Sequence, residues 1–129
     1  MSVLEPGLTG QASWQVTEAM TAARIGSGLV AVFSTPMLVG LMETAAVNAL
    51  EGRLATGMTS VGTRIDVQHL AATPVGATVR AVATLTNIDG RRLFFAIEAW
   101  DDHEMIGRAT HERVIVDQTR FEAKAAQKR

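Results

Sequence analysis

Cysteine and tyrosine are absent from this chain of 129 residues, and histidine occurs only three times. Without cysteine the protein can form no disulfide and has no thiolate nucleophile. Three histidines without a ligand-like spacing also argue against a zinc site. A chain that needs no disulfides suits a reducing compartment, so we expect a cytoplasmic protein without a metal.

Excess charge is the next thing that the sequence lacks. Twelve basic and 13 acidic residues leave a net charge of −1, which gives no electrostatic reason to expect nucleic acid or a membrane surface as a partner. The apolar share of 47% is that of an ordered globular protein. The length fits a single domain over residues 1–129, in which residues 117–129 form a short, partly exposed tail.

Long apolar segments are nearly absent too. The N-terminus has no basic start followed by an apolar run, so we expect no secretory signal. Ile25 to Met42 is free of charge over 18 residues, which just reaches the length of a membrane helix. Ser34 and Pro36 interrupt this run in the middle, and proline is best placed in the first turn of a helix. The run therefore predicts a loop followed by a buried helix.

The start of that helix can be read from Ser34-Thr35-Pro36. A hydroxyl at the N-cap followed by proline is a typical start signal, and we assign the N-cap to Thr35. The helix should run from about Pro36 to Leu50 and end at Gly52. Its residues are apolar on nearly every side, which predicts a helix enclosed by the rest of the protein.

Strand-like alternation surrounds this helix in the sequence. Residues Gln11 to Met20 alternate and predict a first strand. Four further strands are predicted at Ser60 to Leu70, Thr78 to Asn87, Arg92 to Asp101 and Met105 to Val116. Short turn-like connections between these four favour an antiparallel meander. One helix and one curved five-stranded antiparallel sheet that covers it make an α+β protein with the hotdog arrangement.

Glu43 stands out because it lies inside the apolar helix. Its helical neighbours three and four residues away offer no cation. An unpartnered carboxylate is costly to bury, so such a residue is retained for a cation, a hydrogen-bond network or chemistry. The alternative to a catalytic role is a buried ion pair with Arg64 or Arg80.

His69 is the second residue out of place. Alternation puts it at the end of an inward-facing stripe formed by Val61, Thr63, Ile65 and Val67. A lone histidine on an apolar face is more often a core residue than a catalyst. A histidine that faces a carboxylate in a dry pocket is a stronger indication, because that pair suits acyl transfer. His103 is expected in a solvated turn, and His111 is expected to be structural or to pair across the sheet.

Several motifs, taken in order and with their spacing, resemble the fluoroacetyl-CoA thioesterase family, a branch of the hotdog thioesterases. The resemblance covers about Gly28 to Gln127. The matching pieces are Val39-Gly40-Leu41-Met42-Glu43, Gly62-Thr63, His69, Ala71-Ala72-Thr73-Pro74, Gly76, Gly90-Arg91-Arg92-Leu93, Ile106-Gly107 and Thr110-His111-Glu112-Arg113. The family's catalytic set is a threonine, a glutamate eight residues on and a strand histidine, which correspond here to Thr35, Glu43 and His69.

The resemblance implies hydrolysis of a small acyl-CoA thioester. CoA would be part of the substrate, and no further cofactor is expected. It also implies a homodimer or a dimer of dimers with the active site at the subunit interface. Gly62, Leu29 and Phe33 are expected to contact the substrate. Leu29 occupies the position of a phenylalanine gate in the family's best-known member, and the segment before the helix is shorter, so the acyl group stays open.

In the reaction that we expect, the Gly62 amide and the helix N-terminus polarise the thioester carbonyl. Glu43 acts as nucleophile or general base with help from Thr35, and His69 orients the set or protonates the departing thiolate. Three alternatives remain at this point. They are an acyl-CoA-binding protein without hydrolytic activity, a purely structural dimer, and a dehydratase of the same fold.

Overall fold

The computed structural model describes residues 3–129. A five-stranded sheet wraps one long helix, and a short 3-10 turn and two further helices complete the fold. The elements in chain order are β1 (Thr9–Gln15), the 3-10 turn (Glu18–Met20), α1 (Ala22–Ile25), α2 (Thr35–Ala49), β2 (Met58–His69), β3 (Thr78–Asp89), β4 (Arg92–Trp100), β5 (Met105–Asp117) and α3 (Gln118–Ala126). No helix in this part of the chain is long and apolar enough to cross a membrane.

Helix α2 begins one residue earlier than the sequence predicts, and its cap is a different residue. The N-cap is Ser34, whose hydroxyl accepts a hydrogen bond from the Met37 backbone N–H at 3.3 Å. Thr35 is the first helical residue, so its assignment as N-cap is wrong. Because Ser34 satisfies the helix end, the hydroxyl of Thr35 is free to bond elsewhere.

The sheet has the strand order β1-β3-β4-β5-β2, and all its pairs are antiparallel. The predicted meander holds for β3, β4 and β5 only, since β2 pairs with β5 and not with β3. The connection from β2 to β3 is held by the segment before α2, where the Phe33 N–H donates to the Thr73 carbonyl at 2.9 Å. Val32 and Pro74 form a further bridge there. These contacts tie the connection to another segment, and it crosses the sheet to β3, which lies between β1 and β4, instead of closing a hairpin.

The core lies between α2 and the concave face of the sheet. Gly10 allows the closest approach, since a Cβ on it would collide with the α2 backbone at Ala45 and Ala49. The helix is not enclosed on every side as predicted, because Val47 is half exposed. The buried residues of α2 are Leu38, Leu41, Met42, Ala45, Ala46 and Ala49.

Both ends of the chain differ from their prediction. Strand β1 ends at Gln15 rather than Met20, because the chain turns into the 3-10 helix. The tail forms α3, which Asp117 caps by accepting from the Arg120 N–H at 3.0 Å. Helix α3 buries no residue, so its sequence shows no apolar stripe that would have predicted it.

Candidate active site

The hydroxyl of Thr35 bonds to the ring of His69. The distance from Oγ1 to Nδ1 is 2.8 Å. Thr35 is the first residue of α2 and His69 is the last of β2, so the pair lies where a helix N-terminus meets the end of an edge strand. The free N–H groups and positive dipole of a helix N-terminus favour a developing negative charge.

The other ring nitrogen of His69 has no partner in the described chain. Nε2 is buried and makes no hydrogen bond. Burial lowers the pKa of His69, and the nearby Ala71 backbone opposes this only in part. The ring is therefore neutral at pH 7 and carries one unused polar atom. A buried polar atom without a partner is rare in folded proteins and marks a place where a ligand atom can bind.

Glu43 belongs to a second cluster, further along α2. Its Oε2 accepts a hydrogen bond from Arg113 Nη1 at 3.2 Å. Arg113 is held in turn by Ser60, which accepts from Nε at its hydroxyl (2.8 Å) and from Nη2 at its carbonyl (3.1 Å). The cation beside Glu43 is thus neither Arg64 nor Arg80. The Glu43 side chain is also 40% exposed rather than buried, so water can reach its carboxylate.

His111 completes the support of this arginine. Its Nδ1 lies 2.7 Å from the Arg64 carbonyl and therefore carries the proton, while Nε2 accepts from Arg113 Nη1 at 3.2 Å. Burial, and less strongly the charge of Arg113, lower the pKa of His111. A neutral imidazole makes the 4.0 Å approach of its Nε2 to Glu43 a polar contact rather than an ion pair. Arg113 thus supplies the positive charge of this cluster.

Gly62 faces the same carboxylate, which corrects the predicted inward stripe of β2. A β-bulge between Gly62 and Arg64 leaves Thr63 without a register partner in β5 and changes which residues face α2. A Cβ at position 62 would lie 2.5 Å from Glu43 Oε2 and 3.3 Å from Arg113 Nη1. Gly62 therefore points inward together with Ile65 and His69, whereas Val61 and Thr63 do not belong to that stripe.

The two clusters are separate within one chain. Thr35 and Glu43 are eight residues apart on α2, which is about 12 Å along the helix axis. Gly62 and His69 lie roughly 20 Å apart along β2. In residues 3–129 no hydrogen bond or ion pair joins Thr35 or His69 to Glu43. The structure brings two of the three predicted catalytic residues together and places the third elsewhere.

Comparison with known proteins identifies the family of this chain. The family model described as fluoroacetyl-CoA-specific thioesterase matches residues 16–119. The chain belongs to this family. A curated fluoroacetyl-CoA thioesterase from Streptantibioticus cattleyicolor is 46% identical over 97 residues, which are 75% of this chain and 70% of the relative. The expected membership of the fluoroacetyl-CoA-specific thioesterase family is confirmed, and with it the expected activity class of thioester hydrolase.

Solved structures of thioesterases share the whole fold. The fluoroacetyl-CoA thioesterase FlK matches with a TM-score of 0.93 and 36% identity, and the match covers 99% of both chains. A thioesterase superfamily member from Thermus thermophilus matches at a TM-score of 0.88 and 28% identity over 98% of this chain and 94% of its own. The predicted α+β hotdog fold is confirmed.

The residues expected to contact the substrate have very different surroundings. Leu29 is 97% exposed in the loop before α2, whereas Phe33 is fully buried. Gly62 lies against the Glu43 carboxylate. Leu29 is therefore not covered by the described residues, whereas Phe33 can act only as packing beneath the surface.

Sequence reasoning missed Arg113 and Ser60. The spacing of His111 and Arg113 in a predicted strand puts both side chains on one face, and that face is the inward one. Two ionisable residues on an inward face are a signal that could have been used. Within residues 3–129 no group of three or more metal-ligating side chains lies close enough together to hold a metal ion.

Proposed function

We propose that this protein hydrolyses the CoA thioester of a small acyl group, with the Glu43 carboxylate as general base. The observation that carries the proposal is a half-exposed carboxylate whose one oxygen is held by Arg113 and packed against Gly62. A carboxylate fixed in this way is oriented without being sealed from water. The curated relative is named for fluoroacetyl-CoA, whose acyl group has two carbons, and this supports a small acyl group here.

Glu43 takes a proton from a water molecule as the water oxygen bonds to the thioester carbon. The carbonyl oxygen becomes negative at this step and is stabilised by the Gly62 backbone at the bulge. The carbon–sulfur bond then breaks, and the proton held by Glu43 neutralises the CoA thiolate. The products are a free acid and CoA, so atoms and charge balance without any other cofactor.

His69 acts on the sulfur side of the same carbon. When Thr35 donates its hydroxyl proton to Nδ1, Nε2 carries the ring proton and has no partner within the described chain. We propose that this N–H donates a hydrogen bond to the departing sulfur, while the proton that the thiolate takes up comes from Glu43. Thr35 is then a positioning residue, because it selects the tautomer and orients the ring.

Glu43 and His69 must act on the same carbon, and a homodimer would allow it. Strand β2 is an edge strand of 12 residues and is paired on one side only by β5. Such an edge can pair with a second copy of itself. A two-fold axis near Ile65 and Asp66 would set His69 opposite the partner's Gly62, and so next to the partner's Glu43. This homodimer, alone or within a dimer of dimers, is part of the proposal.

A cytoplasmic location is also part of the proposal. The absence of cysteine from all 129 residues supports it, because disulfides are the usual reinforcement of small proteins in oxidising compartments.

The test is thiol release from a series of short, branched, halogenated and aromatic acyl-CoAs. For the best substrate, E43Q and H69A should each reduce kcat at least roughly 100-fold. E112Q is the matched control, because Glu112 is paired with Arg92 at 2.8 Å on the opposite face of the sheet and should leave kcat unchanged. Turnover of E43Q at the level of E112Q would contradict the proposal. An acyl-CoA-binding protein without activity would retain the ligand and release no thiol.

A further inference from the structure

A basic cleft of about 830 Å³ opens outside the two clusters, where β2 begins, β5 ends and α3 follows. Its lining includes Met58 on β2, Arg91 in the β3–β4 turn, and Arg120, Phe121 and Lys124 on α3. Three of these five side chains are cationic. The mechanism proposed above uses none of them.

The positive charge of the basic cleft is not neutralised by neighbouring side chains. Among residues 3–129, Arg91, Arg120 and Lys124 form no ion pair. The cleft contains one acid, Asp117, and one of its carboxylate oxygens caps α3 by accepting from the Arg120 N–H at 3.0 Å. Three cations against one carboxylate favour a ligand that carries more than one negative charge.

An aromatic side chain lies among these cations. Phe121 is 46% exposed on α3. A half-exposed ring can stack on a flat heteroaromatic group, and arginine and lysine bind phosphate oxygens. Cations and a free aromatic face in one cleft fit a nucleotide with several phosphate groups.

A second cleft links the basic cleft to the carboxylate cluster. It has a volume of about 380 Å³, lies between α2 and the first half of β2, and shares Met58 with the basic cleft. Its lining also includes Ser60, which holds Arg113 and through it Glu43. From Gly62 to Met58 the strand spans roughly 13 Å, a length that the extended pantetheine arm of CoA can cover.

We propose that the basic cleft binds the 3′-phosphorylated ADP portion of CoA, with the phosphates on Arg91, Arg120 and Lys124 and the adenine on Phe121. The pantetheine arm lies in the second cleft, and the thioester reaches Glu43. This assignment rests on the proposed function, since it takes the substrate to be an acyl-CoA. It makes the three cations and Phe121 substrate-binding residues that act on affinity and not on the chemical step.

The test compares an acyl-CoA with the matching acyl-pantetheine, which lacks the nucleotide. The double variant R91Q/K124Q should raise KM for the acyl-CoA on the order of tenfold and leave kcat unchanged. KM for the acyl-pantetheine should stay the same. The matched control is R24Q/R80Q, which removes two exposed positive charges that line neither cleft and should leave both KM values unchanged. F121A should raise KM for the acyl-CoA alone by a few-fold.

An unchanged KM for the acyl-CoA in R91Q/K124Q, or an equal rise in the control or with acyl-pantetheine, would overturn the assignment. Calorimetric titration with adenosine 3′,5′-bisphosphate tests the cleft without any turnover. Binding to the wild-type protein that R91Q/K124Q abolishes supports the cleft, and no binding to the wild type overturns it. If the wild type hydrolyses no thioester, the proposed function fails, and the titration still decides the cleft.

Discussion

The two ends of the proposed catalytic set differ in charge and in burial. At the start of α2, Thr35 and His69 form a neutral hydrogen-bonded pair with a buried nitrogen that has no partner within residues 3–129. Two turns later, Glu43 is ion-paired to Arg113, and its carboxylate is open to water. From this difference we infer two separate roles. The ionic cluster of Glu43 and Arg113 activates the water molecule, and the neutral pair of Thr35 and His69 acts on the departing sulfur.

Mixing two inactive variants tests this comparison with the largest effect. E43Q and H69A should each be nearly inactive as homodimers. In the proposed homodimer each site combines Glu43 of one subunit with His69 of the other. A mixed dimer of E43Q and H69A therefore has one site with both substitutions and one site with neither. Co-expressed or refolded mixtures should therefore recover roughly a quarter of the wild-type activity. If every site lay within one chain, each site would carry one lesion, and the mixture would stay inactive.

A methyl group at position 62 should disable the ionic cluster alone. In G62A the new Cβ would lie 2.5 Å from Glu43 Oε2, so the carboxylate must move, and we expect kcat to fall roughly 100-fold. G40A is the matched control, because its Cβ meets only Trp14 at an ordinary 3.5 Å. The Thr35–His69 pair should be unaffected, which the His69 ring resonances in NMR can show. Activity of G62A equal to that of G40A would remove Gly62 from the site.

Loss of one hydroxyl should disturb the neutral pair by less. T35V removes the 2.8 Å bond to His69 but keeps the shape of the side chain, and we expect kcat to fall roughly tenfold. T35S keeps the bond and should retain most of the activity. Both should leave KM nearly unchanged. Equal loss in the two variants would show that the methyl group of Thr35, and not its hydroxyl, matters.

The smallest expected effect is the pH dependence of the free energy of unfolding, to which a histidine of each cluster should contribute in the same direction. Burial lowers the pKa of both His69 and His111, so below pH 6.5 the unfolded chain binds protons that the folded chain does not. The free energy of unfolding should therefore fall as the pH drops from 6.5 toward the folded-state pKa values. Each histidine can contribute a slope of at most about 1.4 kcal/mol per pH unit.

Urea unfolding at pH 7.5 and pH 5.5 checks this. The loss of stability on acidification should be smaller in H69Q and in H111Q than in the wild type. H103Q is the matched control, because His103 is exposed in the turn after β4. A loss in H69Q and H111Q as large as in H103Q would contradict the expectation.

Much of the fold could be predicted from the sequence, because α2 is a charge-poor apolar run with a start signal, and β3, β4 and β5 alternate between buried and exposed residues. Helix α3 could not, since it buries nothing and no apolar stripe marks it. The pairing of β2 with β5 could not be predicted from the alternation of apolar and polar residues either. A short connection favours pairing of the two strands that it joins, so β2 would be expected beside β3. The hydrogen bond from Phe33 to Thr73 in the β2–β3 connection joins residues that are far apart in the chain, and no local pattern predicts it.

The candidate site shows the same limit. Glu43 and His69 could be picked out as ionisable residues in apolar segments, but their partners could not be named. Arg113 lies 70 residues from Glu43, and no local spacing links the two. Thr35 was assigned to the wrong role because Ser34, an equally good cap, precedes it. The position of a residue within its own helix or strand could be predicted from the sequence. Its contacts with residues of other elements could not, because they depend on the fold.

The bulge in β2 means that this enzyme depends on the length of a strand as well as on its chemistry. Thr63 is the extra residue, which has no register partner in β5 although its hydroxyl donates to the Glu112 carbonyl at 3.2 Å. A regular ladder through the same residues would set Thr63 opposite Arg113, so that Thr63 rather than Gly62 would face Glu43. An inserted residue that shifted this register by one would therefore keep every reacting side chain and still lose the pocket. Such insertions, more than substitutions, are the changes that this strand should tolerate least.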